Sequence, residues 1–171
     1  MPVKIGVGLN TGECCVGNMG SDQRFDYSVL GDAVNLASRL EGQTRTYGVG
    51  IIVGAETRQQ ADDLAFLELD LITVKGKSIP ERIFALLGDE DLKATDAFRY
   101  LADIHSDLLA AYRAVDLAGA GPLVVEARAA AEAAALDLSE LYDLYAARLA
   151  DFKVNPPPSD WGGVYRALTK G

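Results

Sequence analysis

The 171-residue chain holds a single histidine, a single tryptophan, two cysteines and two methionines, and no apolar run reaches the length of a bilayer. Each shortage excludes something. His105 is the only imidazole, and no partner Ser, Cys or ligand cluster is visible for it. It falls inside a helical pattern beside an apolar stripe, where a packing or surface role is expected. Cys14 and Cys15 are adjacent. Neighbours in a strand point to opposite faces, so two reduced thiols are expected rather than a disulfide, and no further ligands lie nearby for a metal. Positive charge is also short, with 16 Lys and Arg against 25 Asp and Glu and a net charge of −9. Nucleic acid and anionic lipid require clustered Lys and Arg to displace counterions, so neither is an expected partner, and any phosphate contact must be local. Without a membrane span or a charged-then-apolar leader at residues 1–10, the segment is expected in the cytoplasm with no membrane contact of its own, even if a longer parent protein is tethered.

What is present fits an ordinary globule, 49% hydrophobic and long enough for a buried core. From Val3 to Leu9, Val3, Ile5, Val7 and Leu9 alternate with Lys4, Gly6 and Gly8, the period of a half-buried strand. Asn10-Thr11-Gly12 reads as a turn and Glu13 to Val16 as the returning strand of a hairpin, followed by a tight loop at Gly17-Asn18-Met19-Gly20-Ser21. Phe25 to Leu30 predicts another strand, and Gly31-Asp32 the start of a helix to about Tyr47, with Asp32 placed to cap its free amides. A strand at 50–53, a short helix at 56–61, a strand at 66–74, a Lys75-Gly76-Lys77 turn and a strand at 81–87 complete an α+β block with a largely antiparallel sheet.

After the acidic linker Gly88-Asp89-Glu90-Asp91 the composition turns to Ala and Leu. Phe98, Leu101, Ile104, Leu108 and Tyr112 keep helical spacing, and further helices are predicted at 123–135, after Gly119 to Pro122, and at 138–152. Three short antiparallel helices are the simplest arrangement. Asn155-Pro156-Pro157-Pro158 must be extended and delivers Trp161 and Tyr165 to a final short helix, with Trp161 packing on the bundle. The division is therefore residues 1–88 and a helical tail at 92–171.

The stretch from Asp26 to Glu41 carries the chemistry. On a helix Asn35 and Arg39 are four apart and share a face, presenting an amide and a guanidinium beside the strand that carries Ser28. Such a pair suits a phosphate ester, since arginine's planar fork stabilises phosphoryl oxygens and an amide holds a sugar hydroxyl. Spacing alone favours the plainer alternative, a solvated helix face with Glu41 and Arg45 as a surface pair.

Three ordered motifs change that balance. Gly6-Val7-Gly8-Leu9-Asn10-Thr11-Gly12, the Gly17 to Ser21 segment and the Asp26 to Glu41 run together resemble the second half of class III adenylate and guanylate cyclase catalytic domains, over approximately Val3 to Leu87. The resemblance implies the C-terminal half of a ferredoxin-like palm. It also implies the family reaction, in which the ribose 3′-hydroxyl attacks the α-phosphate and pyrophosphate leaves. By position, Asn35 matches the residue that orients the ribose and Arg39 the one that stabilises the α-phosphate in the transition state. Lys75 matches the lysine on the polyphosphate, and Ser28 the position that helps choose the base, where a small hydroxyl leans towards ATP over GTP. A hydroxyl both donates and accepts, so it discriminates poorly between purines.

The family's two metal-binding aspartates and its base-reading lysine precede the point where this chain begins. Mg2+ or Mn2+ is implied for the complete site, with ligands absent from this chain. Asp62-Asp63 stands in the wrong order and context to replace them. Two functions follow as expectations. The first is an adenylate cyclase fragment in intracellular signalling, inactive alone, that lends Ser28, Asn35, Arg39 and Lys75 to a second protomer. The second is a non-catalytic, cyclase-derived dimerisation or interaction module. Self-association is expected in either case, because half a palm leaves strand edges and a sheet face without cover.

Overall fold

A computed structural model of the chain describes residues 4–21, 24–73 and 79–166. The elements in order are β1 (Val7–Leu9), β2 (Cys15–Ser21), β3 (Arg24–Leu30), α1 (Asp32–Tyr47), β4 (Ile51–Gly54), α2 (Ala55–Gln60), β5 (Ala65–Thr73) and β6 (Glu81–Gly88). They continue with α3 (Glu90–Ala94), α4 (Asp96–Arg113), α5 (Leu117–Ala133), α6 (Ser139–Val154) and β7 (Tyr165–Arg166). The class is α+β: a small sheet followed by helices.

The main sheet has the order β1-β4-β6-β5-β7. Its inner pairings, β4 with β6 and β5 with β6, are antiparallel, whereas β1 with β4 and β5 with β7 are parallel. The expected hairpin between the first two strands does not form. β1 pairs with β4 instead (Val7 opposite Ile51, Leu9 opposite Val53), and β2 pairs with β3 in a separate two-stranded ribbon. The physical reason lies in the glycines of the first strand. A Cβ on Gly8 would stand 2.1 Å from the Ala37 carbonyl oxygen and 2.4 Å from the Glu41 nitrogen, so β1 is committed to backbone contact with α1, and β4 returns beside it from the end of that helix. The Gly17 to Ser21 stretch, expected as a loop, is ladder-paired strand, with Gly17 opposite Ser28 and Ser21 opposite Arg24.

Several boundaries also differ. Val3 lies outside the described residues, as does the Lys75-Gly76-Lys77 turn, and the first strand is confined to Val7–Leu9. Asp32 does not cap α1. Gly31 occupies that position without a side-chain bond, and Asp32 enters the first turn, where its charge still favours the helix dipole. The acidic linker is itself helical as α3, because the Asp89 carboxylate accepts from Leu92 N. α5 begins at Leu117 and contains Gly119 to Pro122. Asp116 accepts from Gly119 N and starts the helix early, and Pro122 has only one amide to forfeit. Tyr165–Arg166 forms β7 where a final helix was expected, pairing Ile72 with Tyr165.

A single cluster of buried residues joins the sheet to the helical segment, running from Leu36, Leu40, Ile52 and Ile72 through Leu101 and Leu108 to Leu141 and Leu149. Trp161 packs edge-on against Tyr112 and Phe152, and its indole N–H donates to Val164 O. Among the described residues no helix is long and apolar enough to cross a membrane.

His105 is buried on α4. Its Nε2–H donates to Glu68 O at 2.7 Å, which leaves Nδ1 to accept from the Tyr142 hydroxyl at 3.2 Å. Burial pulls its pKa down from 6.5 to about 4, against the opposing effect of the Glu68 contacts; Arg113 adds to the lowering. The sign follows directly. Between pH 6.5 and 4 the unfolded imidazole binds a proton that the folded one does not, so folding stability is lost as pH is lowered through that window and is fully present above it. The loss expected is roughly 3 kcal/mol at pH 4. Chemical denaturation of the wild type and His105→Gln across pH 4–7 checks it, and parallel pH profiles for the two would contradict it.

Candidate functional site

The helix α1 sets the geometry. Leu36, Leu40, Gln43, Thr44 and Tyr47 recur at helical spacing and are buried, so one stripe of the helix is held against the sheet. Asn35 and Arg39 lie on the flank of that stripe, Asn35 exposed and Arg39 half-buried. Ser28, half-buried on β3, is brought to the same end of the helix by a very short junction, since only Gly31 separates β3 from α1. Gly31 has φ 155° and ψ 161°, a region essentially closed to side chains, and lies against Glu13 O and Cys14. Ser28 lies just before this strand–helix corner, and Asn35 and Arg39 follow it on one side of α1. Lys75 lies outside the described residues.

Arg39 has no carboxylate partner among the described residues, in a chain with 25 acidic side chains. The expected Glu41–Arg45 pair is also absent, with both side chains exposed. A half-buried, unpaired guanidinium beside an exposed amide is a ready receptor for an oxyanion.

Beside the corner is an open cleft of about 520 Å³, lined by Asn10, Thr11, Glu13, Asp32, Glu56 and Glu81 among others. It lies at the carboxyl ends of the parallel strands β1 and β4. Asn10 Nδ2 donates to Ala33 O at 3.2 Å and the Thr11 and Thr57 hydroxyls bond at 3.0 Å, which ties the two strand ends to α1 and α2. Ser28, Asn35 and Arg39 do not line this cleft. Four of its side chains, Glu13, Asp32, Glu56 and Glu81, are acidic. Among the described residues no group of three or more His, Cys, Asp or Glu could hold a metal ion.

Sequence reasoning overlooked the most buried charges in the molecule. Asp70 on β5 is fully buried, and Arg148 on α6 is 7% exposed and donates to it at 2.6 Å. The one legible signal was an aspartate between Leu69 and Leu71 in an apolar strand, a position that requires a partner.

A family model described as the adenylate and guanylate cyclase catalytic domain matches residues 1–88. Adenylate cyclase 1 of Rhizobium meliloti is 38% identical over 82 residues, which is 47% of this chain and 12% of that protein. An adenylate cyclase of Mycobacterium tuberculosis is 41% identical over 87 residues, 51% of this chain and 19% of its own length. Among solved structures, the adenylyl cyclase CyaB of P. aeruginosa is 40% identical, with a TM-score of 0.43, over 48% of this chain and 41% of that one. The chain thus spans only a small part of the curated relatives it matches.

Proposed function

Because the chain belongs to the adenylate and guanylate cyclase catalytic domain family, we propose that its residues 1–88 supply one half of a nucleoside triphosphate cyclising site completed by a second cyclase protomer. The reaction is attack of the ribose 3′-hydroxyl on the α-phosphate, forming the cyclic ester and breaking the bond to pyrophosphate. Asn35 holds the ribose, Arg39 stabilises charge on the α-phosphate as it passes through the transition state, and Ser28 faces the base. Lys75 contacts the polyphosphate. ATP is the substrate, which places the protein in intracellular cyclic AMP signalling in the cytoplasm. A divalent metal, Mg2+ or Mn2+, supplies further charge neutralisation and is held by residues of the partner.

The observation that carries this reading is Arg39, half-buried and without a counter-ion among the described residues, on the same side of α1 as Asn35. Preorganised positive charge at a transferring phosphoryl group is among the largest catalytic contributions available to a protein. The test mixes this chain with a cyclase protomer that bears the metal aspartates but is disabled at its own Asn and Arg, and measures cyclic AMP from ATP. Formation above either protein alone is expected. No rescue would mean that the half-site is not competent.

A second reading, a non-catalytic dimerisation or interaction module, is favoured by one specific feature. Ile5, Val7 and Leu9 on the outer edge of the main sheet, and Val16, Tyr27, Val29 and Leu30 on the ribbon, are all exposed. Edge strands and apolar patches of this kind recruit a partner. Self-association at micromolar concentration is expected in sedimentation velocity, and a monodisperse monomer would contradict it. Association without rescue of cyclase activity would favour the module over the enzyme.

A further inference from the structure

We propose that Arg148 of the helical segment is a positioning residue for the half-site: through Asp70 and Tyr47 it fixes the helix that carries Asn35 and Arg39. The inference rests on the cyclase reading only for the value of those two side chains. Its geometry is independent of it.

Three elements meet at one carboxylate oxygen. Asp70 Oδ2 on β5 accepts from Arg148 Nη1 of α6 at 2.6 Å and from the Tyr47 hydroxyl of α1 at 2.8 Å. Arg148 Nη2 also reaches the Tyr47 oxygen at 3.4 Å, and Asp70 Oδ1 accepts from Leu71 N at 2.8 Å. Burial works against the Arg148 charge, but the Asp70 carboxylate and the neighbouring tyrosines override it and hold the guanidinium firmly protonated. The Tyr165 ring covers its face, with the guanidinium carbon 3.6 Å from the ring centroid. The neighbouring Tyr145 hydroxyl donates to Leu69 O, which fastens α6 to β5 a second time.

The reason α1 needs this anchor is its contact with β1. Gly8 meets the helix backbone at Ala37 and Glu41 and Leu36 and Leu40 are buried along the same stretch, so the sheet grips α1 over its middle, the pivot for any rocking of the helix. Rolling or rocking about it would re-aim Asn35 and Arg39 at the corner. Tyr47 is eight residues beyond Arg39, or about 12 Å along a rigid helix. A restraint at that distance holds the helix against rocking far better than one at the pivot. Glu140 of α6 packs over Gly48 at the same end, so the helical segment grips α1 by its terminus.

Two conservative variants test the linkage. Tyr47→Phe removes the α1 donor and leaves the Arg148–Asp70 pair whole, whereas Arg148→Lys keeps the charge and loses the fork. Each is expected to lower kcat for Mg-ATP in the mixed-protomer assay by about tenfold with KM within about twofold. Hydrogen exchange of amides 40–47 should quicken while amides 120–131 of α5 keep their protection. The double variant should cost little more than either alone.

Unchanged exchange in α1 would overturn the proposal, as would faster exchange with unaltered kcat, or an equal rise in α5 that signals general loosening. If the wild-type mixture makes no cyclic AMP, the cyclase reading fails. The exchange comparison still decides in that case whether Arg148 holds α1.

Discussion

Alanine in place of Arg39 is expected to lower cyclic AMP formation in the mixed-protomer assay by about a thousandfold or more, the scale at which an arginine acts on a transferring phosphoryl group. The side chain has no structural partner among the described residues, so its removal breaks no ion pair and should leave the thermal midpoint within a degree or two. That combination separates a catalytic role from a structural one. If the guanidinium acts in the transition state, kcat and kcat/KM fall together. Lysine at the same position keeps the charge but not the two-pronged geometry, and should restore only a small part of the rate. Retention of activity within tenfold in Arg39→Ala would remove Arg39 from the site and leave the interaction module as the better reading.

The second large effect is on stability. Arg148→Met is expected to reduce the unfolding free energy by about 3–5 kcal/mol, because it strands a fully buried carboxylate without its counter-charge. Asp70→Asn in the same background should recover much of that loss. The amide oxygen still accepts from Leu71 N and the amide NH2 donates to the Tyr47 hydroxyl oxygen, with no charge brought into the core. The measurement is urea denaturation of the wild type, the single variant and the double variant at pH 7. If the single variant is as stable as the wild type, Asp70 has another source of compensation and the network has been misjudged. Arg148→Met breaks the pair outright, whereas Arg148→Lys retains the charge, so the former reads the energy of the pair and the latter its geometry.

These two arginines also show how far the chain could be read before its fold was known. Arg39 was legible because it stands in a dense local run, four residues after Asn35 and on the same helical face, next to a strand with Ser28. Local spacing of that kind survives folding almost unaltered, and α1 was expected over the range where it is found. Arg148 was not legible, since its partners Asp70 and Tyr47 are 78 and 101 residues away. No periodicity in a helix reports which of its faces will meet a strand so distant in sequence.

The same contrast runs through the strands. Alternation reveals that strands exist but is silent about their neighbours, and it points to the nearest strand in sequence as the partner of β1, which β4 is instead. The parallel pairing of β1 with β4 was decided by α1, which the two strands flank in sequence and against which Gly8 must close. The helix expected around Trp161 and Tyr165 failed for a related reason. A short segment adopts whichever ladder is open to it, and the free edge of β5 offered one.

By itself, then, the sequence determined the class of the fold, the helix that carries Asn35 and Arg39, and the family of the first 88 residues, all through signals spanning a few turns of chain. Tertiary structure alone decided that Arg39 has no counter-ion among the described residues and that the helical segment shares one core with the sheet. It also decided that a buried Arg148 reaches α1 through Asp70 and Tyr47. Those outcomes depend on which distant surfaces meet, and burial then sets the worth of each charge by removing the water that would otherwise screen it.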